Sequence, residues 1–215
     1  MKFAVVLAGC GVYDGSEIHE TTLTLLAIDK AGVDYQCFAP NINQHHVVNH
    51  LTGDEMNETR NVLIESARIA RGNVKNLSEF NANEFDALIF PGGFGVAKNL
   101  STLAFDGPNM CVDAIVEDAV KSAIEKGLPI GALCIAPAMI VKILEGAEVT
   151  IGNDQGTIGA IEALGGKHKL ADHGEIVFDT KYKLVTTPCY MLNASISQIA
   201  DGATNVINKL IQLVS

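Results

Sequence analysis

The residue best placed to do chemistry is Cys134, which lies in the sequence GALCIAP at 131–137. This segment passes from a short apolar stretch directly into a helical pattern, which is typical of a nucleophile elbow with sulfur in place of the serine oxygen. A thiol at a helix N-terminus faces unpaired N–H groups and the positive end of the helix dipole, and both favour the thiolate. The local pattern fits equally well a buried structural thiol, the more common role of cysteine.

A glycine-rich turn, PGGFG at 91–95, follows another apolar stretch. Glycines let the backbone approach a ligand closely and point its N–H groups into a cavity. The N–H groups of Gly93 and Ile135 are therefore candidates for an oxyanion hole beside Cys134. Taken alone, the PGGFG motif is more typical of an ordinary turn between a strand and a helix.

A further glycine-rich loop, GCGVYDG at 9–15, looks at first like a dinucleotide-binding fingerprint. Its third glycine is one residue late for G-x-G-x-x-G, and the second predicted strand ends in FAP at 38–40 without the acidic residue that binds a ribose. We therefore expect no nicotinamide cofactor. Cys10 in this loop is the main competitor of Cys134 for thiol reagents.

Glu17, His19 and Glu20 stand at the start of the first predicted helix, near the point where the strand ends converge. An acidic residue in the first turn usually interacts with the helix dipole, so its position alone does not indicate catalysis. The other histidines lack cysteine or carboxylate partners at metal-ligand spacing, and we predict no metal site among them: His45, His46, His50, His168 and His173.

The elements that must position these residues alternate between strand and helix. Short apolar runs predict buried strands, and apolar residues at helical spacing predict helices between them. The predicted strands cover 2–9, 33–39, 85–90 and 129–133, with weaker candidates at 148–151, 175–177 and 184–187. The predicted helices cover 17–31, with Ser16 as N-cap, and 59–71, 112–126, 137–144 and 194–213. This order indicates a doubly wound, mostly parallel sheet with helices on both faces, in which ligands bind at the carboxyl ends of the strands.

Length, charge and composition narrow the class of protein. With 215 residues we expect one domain over 1–215, and a net charge of −10 argues against a nucleic-acid partner. Five cysteines without a C-x-x-C pair indicate neither a disulfide framework nor a zinc ribbon. The N-terminus lacks a signal-peptide pattern and no apolar run reaches the roughly 18 residues of a membrane span, so we expect a cytoplasmic protein without membrane contact.

Four stretches together resemble the ElbB family of the PfpI/ThiJ superfamily, which has the class I glutamine amidotransferase-like, flavodoxin-like fold. They are GALCIAPAM, PGGFGVAKNL, GCGVYDGSEIHE and NHLTGDEMNETRNVLIESARIARG. The similarity extends over essentially the whole chain. The cysteine elbow and the PGG turn are shared across the superfamily, whereas the last two stretches are specific to the ElbB branch. The resemblance implies a catalytic Cys134, a homodimer and a link to isoprenoid biosynthesis.

The resemblance also implies an activity, because several members of the superfamily are glyoxalases that need no glutathione. In the family pattern a glutamate on the first helix lies beside the nucleophilic cysteine. The matching residue here is Glu20, with Glu17 as the alternative. We therefore expect a glyoxalase that converts a small 2-oxoaldehyde, glyoxal or methylglyoxal, into a 2-hydroxy acid without any cofactor.

The sequence departs from the superfamily at one point that matters for catalysis. Many members carry histidine directly after the cysteine, where this chain has Ile135. No complete Cys-His-acid triad can be assigned, although His19 is an auxiliary candidate on the first helix. The stretch TPCYMLN at 187–193 lacks the late His-x-Glu of a glutamine amidotransferase. Two alternatives stay open: a non-catalytic regulator or redox sensor that uses Cys134, and an amidase or deglycating hydrolase.

Overall fold

A computed structural model describes residues 1–214. Seven strands form the main sheet in the order β3-β2-β1-β4-β5-β9-β8, and two short strands, β6 and β7, pair separately. All neighbours in the main sheet are parallel except β8 and β9, which are antiparallel. The strands β1 to β9 are, in chain order, Lys2–Val6, Asp34–Ala39, Val74–Asn76, Ala87–Phe90, Ile130–Leu133, Glu148–Val149, Lys167–His168, Val177–Asp179 and Leu184–Thr187.

Helices cover both faces of this sheet, and the prediction of a doubly wound, mostly parallel architecture is confirmed. The helices α1 to α8 are, in chain order, Ile18–Lys30, Val62–Ile69, Phe94–Lys98, Leu103–Asp106, Ala114–Lys126, Ala136–Ile143, Gln155–Ala163 and Ile196–Val214. None of the helices within residues 1–214 is long and apolar enough to cross a membrane.

The core lies in two layers because successive side chains of a strand point to opposite faces. In β1, Ala4 and Val6 join the layer formed with α5 and α6, whereas Phe3 and Val5 join the layer formed with α1 and α8. Every residue of β4 and β5 is buried, as expected for central parallel strands covered on both faces. Because β1, β4 and β5 are neighbouring parallel strands, their carboxyl ends lie side by side at the same edge of the sheet.

Several element boundaries differ from the prediction. The first strand ends at Val6, three residues early, because the chain turns into the glycine-rich loop. The first helix is capped by Glu17, and the predicted cap Ser16 is wrong: its hydroxyl instead accepts the N–H of Ala8 at 2.8 Å, which ties the loop to the end of β1. The predicted strand 175–177 lies at Val177–Asp179.

Candidate active site

Three loops converge at the carboxyl edge of the sheet: 7–17, which follows β1, 91–93, which follows β4, and the turn at Cys134 after β5. Backbone hydrogen bonds join the first two. The N–H of Glu17 donates to the carbonyl of Gly92 at 2.9 Å, and the N–H of Gly95 donates to the carbonyl of Gly15 at 2.8 Å. The start of α1 is thereby fixed against the PGG turn.

Cys134 occupies the sharp turn between β5 and α6. Its backbone is left-handed, with φ of 61°, a conformation that costs a non-glycine residue on the order of 1–3 kcal/mol. The surrounding structure holds it there: the N–H of Cys134 donates to the carbonyl of Thr187 at the end of β9, at 3.0 Å. The residue is 7% exposed. This is the geometry of a nucleophile elbow.

Glu20, in the first turn of α1, hydrogen-bonds the Cys134 side chain and is fully buried. Each of its carboxyl oxygens also accepts a backbone N–H: Oε1 from Tyr190 at 3.2 Å, and Oε2 from Gly92 at 3.1 Å. The carboxyl of Glu20 is therefore held in place by α1, by the PGG turn and by the segment that follows β9.

Gly92 leaves the space in which the carboxyl and the thiol meet. A methyl group at this position would overlap the Cβ of Cys134 and lie 2.9 Å from its Sγ. It would also overlap Oε2 of Glu20. Glycine is required here by close approach, because the structure has no room for any side chain. The sequence singled out the PGG turn, but the packing against Glu20 arises only in the fold.

Burial raises the pKa of the Glu20 carboxyl to about 8, and the negative charge of Glu17 acts in the same direction. The N–H groups of Tyr190 and Gly92 and the hydrogen bond to Cys134 lower it, but they do not offset the desolvation. At neutral pH Glu20 therefore holds its proton and can act as a donor.

The expectation that the helix N-terminus favours the Cys134 thiolate is wrong for the resting protein. Burial raises the pKa of this thiol well above its ordinary value, and the charge of an ionised Glu20 raises it further. The N–H groups of Gly93 and Ile135 act in the opposite direction by hydrogen bonding to the sulfur. The two side chains titrate as a coupled pair, since ionising one makes the other hold its proton more strongly. A protonated Glu20 is thus a condition for forming the thiolate.

The two N–H groups proposed as an oxyanion hole, those of Gly93 and Ile135, both bond the Cys134 sulfur. Gly93 has φ of 104°, and a Cβ there would overlap the backbone of Glu17 and Gly15, so the turn requires glycine. An oxygen on a carbon bonded to the sulfur would lie next to these donors.

Glu17 has a different role in the fold from Glu20. Its Oε2 accepts the backbone N–H of Glu20 at 2.6 Å and so caps α1. Its carboxylate is therefore occupied at the helix terminus, while its charge still acts on the buried Glu20. Of the two candidates, Glu20 is the one whose carboxyl hydrogen-bonds Cys134.

The other candidate residues lie at the edge of this arrangement. The ring Nδ1 of His19 is 2.8 Å from the Tyr190 hydroxyl, and its hydrogen bond is to that residue. Cys10 is half-buried, and burial followed by the charge of Glu65 raises the pKa of its thiol. Cys37 is fully buried within β2.

Sequence reasoning missed two residues that lie next to the site, on the segment after β9. Tyr190 supplies an N–H to Glu20, and Cys189 is a second buried thiol with a left-handed backbone, at φ of 46°. Burial raises the pKa of the Cys189 thiol well above its ordinary value, and the charges of Glu20 and Cys134 raise it further, so Cys189 shares their electrostatic environment. This stretch contains no histidine, and nothing in its local pattern points to the site.

Within residues 1–214, no three His, Cys, Asp or Glu side chains gather in a group that could hold a metal ion. The rings of His45 and Phe105 lie in a tilted contact with their centroids 4.1 Å apart, and His50 Nε2 accepts the N–H of Tyr13 at 3.1 Å. Both histidines are exposed residues of the loop that follows β2.

The raised pKa of Glu20 gives a pH dependence of stability. The folded state binds the Glu20 proton more tightly than the unfolded state does. The stability that this proton adds is therefore complete below about pH 4.5 and is lost as the pH rises to about 8. The free energy of unfolding should fall by up to about 1.4 kcal/mol per pH unit from this group. Urea unfolding between pH 5 and 8 measures it. Glu20→Gln should flatten the slope relative to the native protein, whereas exposed Glu125→Gln should not; equal slopes in all three would contradict a buried, protonated Glu20.

The chain is similar to known proteins over nearly its whole length. No family model matches the chain. The human glutamine amidotransferase-like class 1 domain-containing protein 3, mitochondrial, is 46% identical over 222 residues, covering 99% of this chain and 83% of the human protein. A crystal structure of an isoprenoid biosynthesis protein with amidotransferase-like domain from Ehrlichia chaffeensis is 39% identical, with a TM-score of 0.94 and complete coverage of both chains.

The same fold extends to more distant proteins. Glyoxalase III from Candida albicans has a TM-score of 0.64 and 16% identity over 97% of each chain, a likeness of fold alone. Chains described as DJ-1 and ThiJ/PfpI proteins match at similar TM-scores.

The expected cytoplasmic location is contradicted by these relatives. The human protein and its rat and zebrafish counterparts are all named mitochondrial. The expectation rested on the lack of a signal peptide and of a membrane span, and neither feature distinguishes the cytoplasm from another aqueous compartment.

Proposed function

The chain belongs to the family of glutamine amidotransferase-like class 1 domain proteins, and from that premise we propose that it is a glutathione-independent glyoxalase. Its substrates would be small 2-oxoaldehydes such as glyoxal and methylglyoxal, and its products 2-hydroxy acids. The observation that carries the proposal is the close approach of the buried Glu20 carboxyl and the Cys134 thiol, since a methyl group on Gly92 would overlap both side chains. This pair offers a nucleophile and a proton carrier in contact, which is what the reaction needs.

In the first step the Cys134 sulfur attacks the aldehyde carbon, C1. A C–S bond forms, the C=O bond opens, and the thiol proton ends on the former aldehyde oxygen. The N–H groups of Gly93 and Ile135 lie at the sulfur and are positioned to donate to that oxygen while it carries negative charge. The product of this step is a hemithioacetal on Cys134.

In the second step Glu20 moves protons between the two substrate carbons. It gives its proton to the oxygen on C2, and the carboxylate so formed takes the hydrogen of C1 as a proton, which leaves an enediol. Returning a proton to C2, while the C1 hydroxyl loses its own proton to Glu20, gives a thioester with a hydroxyl on C2. C1 is oxidised by two electrons and C2 is reduced by two, so no external oxidant or reductant enters.

In the last step water attacks the thioester carbon, the C–S bond breaks, and the 2-hydroxy acid leaves with Cys134 again a thiol. None of these steps requires glutathione, a metal ion or an organic cofactor. The proposal needs no histidine beside the nucleophile, which agrees with Ile135 at that position. The Candida albicans glyoxalase III shares the fold, so the architecture is compatible with the activity.

The Ehrlichia chaffeensis relative is named an isoprenoid biosynthesis protein, which supports the proposed link of this chain to isoprenoid biosynthesis. The proposed function is tested by steady-state release of 2-hydroxy acid from glyoxal and methylglyoxal without glutathione. Turnover no faster than in buffer would refute it.

We also propose a homodimer, as the family resemblance implies. Two large apolar side chains beside the site, Ile18 and Phe94, are 44% and 49% exposed, and a partner would cover them. Light scattering at micromolar concentration should give twice the chain mass of 22.8 kDa. A mass of 22.8 kDa under those conditions would contradict the dimer.

A further inference from the structure

A cavity of about 210 Å³ opens beside the candidate active site, bounded by α3, α4 and α7. Two of its lining residues connect it to the chemistry. Phe94 directly follows Gly93, and Ile135 directly follows Cys134. The lining therefore includes Ile135, which is one of the two N–H donors to the Cys134 sulfur, and the residue that follows Gly93, which is the other donor.

The lining of this cavity is apolar. Thr157 is the only one of its nine lining residues, all within the described chain, whose side chain has a polar atom. Its hydroxyl already donates to Oδ1 of Asp154 at 2.7 Å, as part of the cap of α7. The side chains that face the space are chiefly those of Phe94, Ala97, Leu103, Ile135 and Ala160. Such a lining favours an apolar group and provides nothing to bind a charged one.

A larger groove of about 910 Å³ lies between 170–177 and α8. Its lining contains neither Cys134 nor any residue adjacent to it in sequence. The smaller, apolar cavity is the one whose lining includes the residues that follow Cys134 and Gly93 in the chain.

We propose, building on the glyoxalase function above, that this cavity holds the R group of a 2-oxoaldehyde R–CO–CHO. The preferred substrates are then aldehydes in which R is aromatic or a branched alkyl chain. Glyoxal has no R group and methylglyoxal has only a methyl, so both leave most of the 210 Å³ empty. Because a single methylene in a hydrophobic pocket discriminates by roughly tenfold or more, a phenyl ring should raise kcat/KM over methylglyoxal by at least about tenfold.

The test compares kcat/KM for phenylglyoxal and methylglyoxal in the native protein and in Ala160→Leu. Comparing the ratio between proteins removes the intrinsic reactivity of each aldehyde. Filling the cavity should lower the ratio by about tenfold. Gly156→Leu, one turn earlier on α7, tests the same space, since a Cβ there meets only Oδ1 of Asp154 at 3.5 Å. The matched control is Ala163→Leu, which is exposed on the same helix.

Three results are distinguishable. A ratio that falls in Ala160→Leu and Gly156→Leu but not in Ala163→Leu supports the cavity as the R-group site. Turnover of both aldehydes at the same ratio in all four proteins overturns the cavity assignment and leaves the glyoxalase function standing. A native protein that converts neither aldehyde overturns the function, and this inference with it.

Discussion

Glu20→Gln should lower turnover of methylglyoxal by about 10² to 10⁴-fold while the protein stays folded, because the amide cannot carry a proton from one substrate carbon to the other. The substitution keeps the shape of the side chain and one of its two oxygens. Since both oxygens accept backbone N–H groups, from Gly92 and Tyr190, one of those donors loses its acceptor. A stability loss of about 1–3 kcal/mol is the expected accompaniment. Steady-state kinetics and circular dichroism measure the two effects separately.

Glu17→Gln is the matched control for Glu20→Gln. The amide oxygen can still accept the N–H of Glu20 and cap α1, so turnover should stay within about tenfold of native. Loss of turnover in Glu17→Gln with full activity in Glu20→Gln would show that the wrong carboxyl was assigned. Full turnover in both would exclude the proton-shuttle mechanism.

The same variants separate an enzyme from a redox sensor. Oxidation of Cys134 by peroxide needs the thiolate but no transfer between carbons. An ionised Glu20 raises the pKa of the thiol, so removing its charge should increase the peroxide reactivity of Cys134 at pH 8 and above. A Glu20→Gln protein that loses turnover yet reacts faster with peroxide therefore fits the glyoxalase and not a sensor alone.

Cys134→Ala should abolish turnover altogether, since no covalent intermediate can form without the sulfur. Cys189→Ala is the matched control, because Cys189 is also a buried thiol with positive φ and a raised pKa. Both substitutions remove one sulfur atom at a left-handed position, so their structural costs should be similar. We expect Cys189→Ala to retain turnover within about tenfold. Equal activity of the native protein and Cys134→Ala would remove Cys134 from the mechanism.

Apolar patterning predicted the central strands and the longer helices because these elements bury one or both faces along their whole length. The strand at 184–187 lies where the pattern placed it. The helix Gln155–Ala163 was missed because Gly156 and Gly159 lower its helix propensity. In the structure Asp154 caps its first turn. The five-residue helix Phe94–Lys98 directly follows Gly93 and resembles a loop in sequence.

The site was predictable in part. The elbow marked Cys134 locally, whereas the choice of Glu20 came from the family resemblance and agrees with the observed contact. The direction of the Cys134 pKa was not predictable from a helix terminus, because desolvation depends on what packs over the sulfur. The contributions of Gly92 and Tyr190 depend on segments that are distant in sequence and meet only in the fold.

The central claim is that Cys134 and Glu20 convert a 2-oxoaldehyde into a 2-hydroxy acid, and NMR of the product tests it most directly. Purified protein is incubated with methylglyoxal in buffer without glutathione, beside Cys134→Ala at the same concentration. The account predicts lactate in many-fold molar excess over the native protein and none above the buffer rate with Cys134→Ala. Consumption of methylglyoxal without lactate, or equal lactate from both proteins, would contradict it.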